Sequence, residues 1–284
     1  MNRRNSPLSD LQRPAKKAAA HPWIEHLARF GYAAKGVVYF IVGLLSAQAA
    51  FTTSGSPTDT NGALETIVNQ PFGKFLLAIV TIGLVGYAIW RLVQTVYDPE
   101  HQGESNSASR IAQRMGYAFS AIAYSGLALT AVKLIAGTGS SSGDATQDWT
   151  ARFMSQPFGR WLVGLAGLIV IGVGFSYLYQ AYKAKFQEHF KHHQMRQSER
   201  NWAKWLGQFG IAARGIVFGI IGLFLFLAAL RANASEARGL GGALVTLAQQ
   251  PFGPWLLGIV ALGLIAYSIY SLIEARYRRI IQPR

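Results

Sequence analysis

Cysteine is absent from this 284-residue chain, acidic residues are few, and charge of any kind is scarce. The missing cysteine excludes a disulfide framework, a thiolate zinc site, a cysteine-ligated iron–sulfur cluster and a cysteine nucleophile. Charged residues make up 14% of the chain, against roughly 25% in soluble domains. Only 13 of them are Asp or Glu, against 27 Lys or Arg, leaving a net charge of +14. Between clusters of charge run segments with no Asp, Glu, Lys or Arg at all: 36–58, 75–90, 115–132, 161–182, 215–230 and 239–273.

What fills those segments is apolar, as in VVYFIVGLLSAQAAF and GIVFGIIGLFLFLAAL. A hydrocarbon core about 30 Å thick is crossed by roughly 20 mostly apolar helical residues. The shorter runs reach that length once terminal Lys and Arg snorkel to the interface. None alternates as barrel strands do, and only helices or closed barrels satisfy the backbone in lipid. The expected fold is an all-α integral membrane protein with six transmembrane helices. The first apolar run ends in Ala47-Gln48-Ala49, which resembles a signal-peptide cleavage site. Nearly the same segment recurs at 209–224, inside the chain, so it is read as a retained span.

Orientation follows from the cations. Segments before span 1, between spans 2 and 3, between 4 and 5, and after 6 hold 19 Lys and Arg; the alternate connections hold 5. Positive residues collect on the cytoplasmic side. The expectation is therefore a multi-pass cell-membrane protein with both termini cytoplasmic.

The chain repeats itself. At an offset of 180, residues 62–94 match 242–274 at 17 of 33 positions, and at an offset of 179, residues 30–45 match 209–224 at 9 of 16. A more divergent middle copy keeps Gly116-Tyr117-Ala118 and a shared tetrapeptide. That tetrapeptide, Q-P-F-G, occurs at Gln70-Pro71-Phe72-Gly73, Gln156-Pro157-Phe158-Gly159 and Gln250-Pro251-Phe252-Gly253. The expected organisation is a basic disordered tail (1–22), repeat 1 (23–97), a linker (98–109), repeat 2 (110–182), a basic linker (183–201), repeat 3 (202–275) and a basic tail (276–284). With two spans per unit, all three units run in the same direction and are related by an axis along the membrane normal. A pseudo-threefold bundle is the natural packing.

Each Q-P-F-G follows a short amphipathic stretch. Leu64, Ile67 and Val68 share one helical face, as do Leu244, Leu247 and Ala248. These stretches predict short helices on the outer side, with proline in the first turn of the next span, where its missing N–H is harmless. The motif reads as a helix–turn–helix joint repeated by duplication rather than a ligand ring.

Lys35 and its repeat partner Arg214 are the candidate binding residues, because intramembrane cations are expensive and often functional. Their side chains lean toward the helix N-terminus, which favours snorkelling or contact with anionic lipid headgroups over a substrate site. Ser120 takes this position in the middle repeat, so no complete ring of charge exists. Lys133 reads as an interface anchor. No Asp or Glu lies deep in a span, Glu274 being placed at the cytoplasmic end of span 6, so a carboxylate relay is not expected. All six histidines (His21, His26, His101, His189, His192 and His193) lie outside the spans, which excludes a buried bis-histidine haem. His189, His192 and His193 read as part of a solvated basic loop rather than a metal site. The aromatic and basic segment 183–204 reads as an amphipathic helix on anionic lipid rather than a nucleic-acid surface. Gly215-x-x-x-Gly219 and its neighbours imply close helix packing within the monomer. Tyr39, Tyr87, Tyr124 and Tyr267 supply mid-span hydroxyls, for a polar pocket or for bonds to a neighbouring helix.

The threefold Q-P-F-G units, with the helix starts F-G-Y-A-A-K-G and F-G-I-A-A-R-G, resemble the bacterial membrane-protein family DUF 1206, a domain of unknown function. The resemblance runs over roughly residues 30–272. It implies three two-helix units in a bacterial membrane and brings no activity, cofactor or site residues. The expected function is non-enzymatic: binding of lipid or of a membrane-protein partner, with no cofactor, no metal and no nucleic acid. The alternative is a small-solute transporter or channel with a path along the threefold axis lined by Lys35 and Arg214.

Overall fold

The computed structural model describes residues 22–52, 57–97, 108–138, 145–184, 187, 190 and 195–278. Residues 1–21 of the expected N-terminal tail, His21 among them, His101, His189, His192 and His193, and most of the C-terminal tail lie outside the described residues, and Pro22 opens the first helix.

Six long helices carry the apolar runs: α1 (Pro22–Phe51), α3 (Gly73–Tyr97), α4 (Ala108–Ala136), α6 (Gly159–Lys183), α7 (Gln197–Arg231) and α9 (Gly253–Tyr277). All six are long and apolar enough to cross a membrane. The 25-residue helices reach about 37 Å at 1.5 Å per residue. Three short helices precede the Q-P-F-G motifs, as the sequence predicts: α2 (Thr60–Val68), α5 (Ala145–Met154) and α8 (Leu240–Ala248). The Asp59 side chain caps α2 by accepting from the Gly62 N–H at 2.9 Å, which satisfies one of the free donors of its first turn. Its buried face is Ala63, Leu64 and Ile67. Helix α7 has 35 residues and runs back into the basic segment read as a linker.

The three joints have one geometry. In each, the Gln carbonyl accepts from the Gly N–H: Gln70 to Gly73 at 2.8 Å, Gln156 to Gly159 at 2.9 Å, Gln250 to Gly253 at 2.7 Å. Proline sits second in this turn and phenylalanine third, with φ of 60°, 62° and 60° at Phe72, Phe158 and Phe252. The left-handed residue of such a turn is ordinarily glycine or asparagine. The spans start one residue later, so the prolines lie in the turn before the helix and not in its first turn, as the sequence reading had it. The glycine is required because the short helix ends against it. A Cβ on Gly73 would stand 2.3 Å from the carbonyl oxygens of both Ile67 and Val68. The phenylalanine rings point away from the protein, 79–86% exposed.

Around the bundle, α1 packs on α3, α3 on α4, α6 on α7, α7 on α9, and α9 on α1. The second long helix of every repeat thus lies against the first helix of the next. A clamp of common design closes each of these three contacts. Arg29 donates to the carbonyls of Ala275 (2.8 Å) and Arg276 (2.5 Å) at the end of α9. Arg114 donates to Thr95 (2.7 Å) and Val96 (3.0 Å) at the end of α3. Gln208 donates to Ala181 (3.0 Å) at the end of α6. Arg29, Arg114 and Gln208 occupy one repeat position, and Thr95, Ala181 and Ala275 another. The carbonyls they engage have no partner in their own helices, and two of the three clamps bring a cation to the negative helix end. The arrangement is the pseudo-threefold one the repeats imply.

One seam departs from it. Within repeats 1 and 3 the two long helices touch backbone to backbone. A Cβ on Gly31 would lie 2.6 Å from the Tyr87 nitrogen, and on Gly210 2.5 Å from that of Tyr267. Gly83 meets the Ala34 methyl and Gly263 the Ala213 methyl in the same way. Within repeat 2, α4 and α6 make no comparable packing. The repeat alignment gives the reason: Phe119 replaces Ala34 and Ala213, Ile169 replaces Gly83 and Gly263, and Val173 replaces Tyr87 and Tyr267. Two small residues at the crossing have become two large ones, and both are exposed. Gly116 and Gly172, which correspond to Gly31 and Gly86, have open space where their Cβ atoms would lie.

Candidate functional site

The interior of the ring is polar in one zone, built where the repeats bring equivalent positions together. Tyr39, Tyr124 and Phe218 are one such set; Lys35, Ser120 and Arg214 lie one turn before them. From the second helices come Tyr87, Val173 and Tyr267, then Arg91, Tyr177 and Ser271, then Gln94, Gln180 and Glu274.

Lys35 does not snorkel. It is 1% exposed; its Nζ donates to the Tyr267 hydroxyl at 3.0 Å and to Glu274 Oε2 at 3.3 Å. The rings of Tyr32, Tyr87 and Tyr267 lie 4.7, 5.1 and 5.0 Å from the ammonium. Glu274 is 3% exposed and also accepts from Arg278. The sequence reading set Glu274 aside as a residue of the helix end. It is at the end of α9, but that end packs against α1 and turns the carboxylate inward. Tyrosine faces and hydroxyls replace the water that a buried cation loses.

Arg214 lies on the far side of the same hydroxyl, donating to Tyr267. Its guanidinium is ringed by Tyr267 (4.5 Å), Tyr177 (5.1 Å), Tyr39 (5.2 Å) and Phe218 (5.3 Å). Its Nε is buried without a hydrogen-bond partner. The two candidate cations therefore meet at Tyr267, and they differ. Lys35 is enclosed and ion-paired, whereas Arg214 has no carboxylate partner among the described residues.

Arg91 belongs to the site and was missed, having been counted with the flanking cations of the loop. It donates to the Tyr87 hydroxyl at 2.9 Å and to Gln94 Oε1 at 2.9 Å. Tyr87 and Tyr117 lie 4.8 and 5.0 Å from its guanidinium. It too has no carboxylate partner among the described residues. The signal that could have found it is the repeat alignment, which sets Arg91 beside the inward-facing Tyr177. Of the four mid-span tyrosines, Tyr87 packs on Tyr124 (4.5 Å) and Tyr39 on Tyr267 (5.1 Å), so they join helices and build the cation cage at once. No group of His, Asp and Glu that could hold a metal occurs among the described residues.

The Q-P-F-G residues sit at the opposite end of the bundle from this cluster and contribute nothing to it. Phe75, Trp161 and Trp255, each three residues beyond the motif's phenylalanine, are exposed beside it. Trp23, Trp202 and Trp205 are exposed near the other end. Aromatic side chains gathered at both ends of apolar helices are the mark of the two membrane–water interfaces.

Six apolar spans in three two-helix units, with a charged centre and an apolar exterior, define a multi-pass membrane protein built by internal triplication. The chain belongs to the family Domain of Unknown Function (DUF1206), which matches it three times, over residues 30–98, 115–184 and 209–278. It is 37% identical over 262 residues to "Uncharacterized protein YxxB" of Bacillus subtilis (strain 168), covering 92% of this chain and 94% of that protein. No solved structure matches.

Proposed function

We propose that this protein is a non-enzymatic binding protein of the bacterial cytoplasmic membrane that holds an anionic group against Arg214 and Arg91. One observation carries the reading. Three cations, Lys35, Arg91 and Arg214, enter the ring interior, where Glu274 pairs with Lys35 and Arg278 and neither Arg91 nor Arg214 has a carboxylate partner among the described residues. Uncompensated charge inside a membrane is costly, and a guanidinium with unfilled donors is suited to phosphate or carboxylate. An axial path lined by Lys35 is less well supported, because that side chain is enclosed and paired.

The test is native mass spectrometry of the detergent-purified protein with added phosphatidylglycerol or phosphatidylcholine. Preferential retention of the anionic lipid, lost in Arg214→Gln with Arg91→Gln and kept in Arg231→Gln, is the expected result. Equal retention of both lipids, unchanged by the double substitution, would sink the proposal.

Both termini face the cytoplasm in this reading, on the strength of the cation distribution. The chain lacks cysteine, so single cysteines report sidedness without interference. Ser235→Cys should react with an impermeant maleimide in intact spheroplasts, and Ser198→Cys only after permeabilisation. The reverse pattern would invert the topology.

A further inference from the structure

We propose that the unzipped seam of repeat 2, between α4 and α6, is a lateral opening through which the acyl chains of an anionic phospholipid lie while its headgroup reaches Arg214. This rests on the anion-binding reading above and specifies the ligand as a membrane lipid and not a dissolved ion.

Three independent observations converge on that seam. First, it is the single within-repeat helix pair that fails to close, and the residues responsible are large and apolar. Phe119 and Ile169 hold apart a crossing that Ala34 with Gly83, and Ala213 with Gly263, bring to contact. Second, the seam's glycines are uncovered: added Cβ atoms at Gly116 and Gly172 would meet nothing within 4 Å. In the closed seams the matching positions Gly31 and Gly86 are pressed against Tyr87 and Leu27. Helices α4 and α6 are also the least covered spans, with 28% and 17% of their apolar windows buried, against 56% for α1 and 61% for α9. Third, Arg214, which has no carboxylate partner among the described residues, is next to this seam. Tyr177, on α6, lies against the Arg214 guanidinium at 5.1 Å. Tyr124, on α4, carries the aromatic wall on toward Tyr87. An apolar slot facing lipid, with a guanidinium behind it, matches an amphiphile whose one end is hydrocarbon and whose other end is anionic. A free inorganic anion has no use for the slot.

The seam can also be closed by design, because the other two repeats show how. Replacing Phe119→Ala, Ile169→Gly and Val173→Tyr installs in repeat 2 the residues at the crossing in repeat 1. Gly172→Phe blocks the opening instead, without asking the helices to move.

The experiment uses the full chain in vesicles containing either phosphatidylglycerol or phosphatidylcholine that carries a photoactivatable group in its acyl chain, with labelled peptides mapped by mass spectrometry. In the wild type, the anionic probe should label the peptides around Phe119 and 165–173 about tenfold more than the zwitterionic one, and Arg214→Gln should abolish that difference. Both seam variants should lose the excess labelling there while eluting as folded protein on size exclusion. Suppose the anionic preference persists, depends on Arg214, and is unchanged in both seam variants or maps to another face. The lateral opening is then wrong, and the anion-binding reading survives. No anionic preference anywhere in the wild type overturns both. Competition of the probe by millimolar inorganic phosphate would show that a dissolved ion is the occupant and would likewise overturn the lipid assignment.

Discussion

Lys35 and Glu274 are 239 residues apart in sequence and 3.3 Å apart in the bundle. They join the first long helix to the last and are an interior ion pair between different helices. Removing Glu274 leaves the Lys35 ammonium buried without its carboxylate, whereas removing Lys35 leaves Glu274 paired with Arg278 alone. Glu274→Gln is expected to lower stability by about 3–5 kcal/mol, and Lys35→Met by less. The double substitution Lys35→Met with Glu274→Leu should recover much of that loss. Thermal unfolding followed by tryptophan fluorescence in detergent reads both. Additive losses in the double variant would show that the pair is not coupled.

The three clamps should be graded by chemistry. Arg29 and Arg114 donate from a cation, whereas Gln208 donates from a neutral amide. Hydrogen bonds to charged groups contribute about 1.5–3 kcal/mol and neutral ones about 0.5–1.5 kcal/mol. Arg29→Ala and Arg114→Ala should therefore destabilise more than Gln208→Ala, and Gln208→Arg should stabilise the contact of α6 with α7. Chemical unfolding in mixed micelles would rank the four, and an order led by Gln208 would contradict the clamp geometry.

Glycines on the second long helices of closed and open seams should respond in opposite ways. Gly83→Ala and Gly263→Ala place a methyl within 2.4 and 2.3 Å of another methyl carbon, and overpacking of this kind costs about 1–3 kcal/mol. Gly172→Ala meets nothing and should be neutral or gain up to about 1 kcal/mol from helix propensity. Comparable losses at all three would mean that the seam of repeat 2 is closed in solution.

At the joints, Phe72, Phe158 and Phe252 hold a left-handed backbone that costs a non-glycine residue about 1–3 kcal/mol. Phe72→Gly should raise the unfolding temperature in detergent, where the exposed ring has no bilayer to meet, and Phe72→Val should lower it. Gly73→Ala should be the most damaging change at the joint, because two carbonyl oxygens occupy the space. A harmless Gly73→Ala would refute the turn described here.

Periodicity and self-similarity made most of the architecture legible. The charge-free runs give the six spans, and the repeated Q-P-F-G marks the three joints. Of the tyrosines found around the cations, Tyr39, Tyr87 and Tyr267 stood out as mid-span hydroxyls, and Tyr32, Tyr117 and Tyr177 did not. What stayed hidden depends on how one repeat rotates against the next. Glu274 reads as a helix-end residue until α9 is laid on α1. Arg91 reads as a flanking charge until Tyr117 of the next repeat stands beside it. Lys35 obeys the usual lean of helical side chains, but it meets tyrosines and a carboxylate before it meets headgroups. The open seam was partly visible: Ile169 and Val173 break the glycine and tyrosine of the other repeats. Only the structure shows that those positions are helix crossings.

The pairing of Lys35 with Glu274 also has a timetable. A ribosome moving at about 5–20 residues per second takes on the order of 10–50 s to travel from the first residue to the second. Throughout that interval the first span must sit in the bilayer with its ammonium bare, and the route open to it then is the one the finished protein abandons, up the helix toward the headgroups. The last helix to be made draws that charge inward, so ring closure is a change of solvent for Lys35, and a chain truncated before Glu274 keeps a first span that is never neutralised.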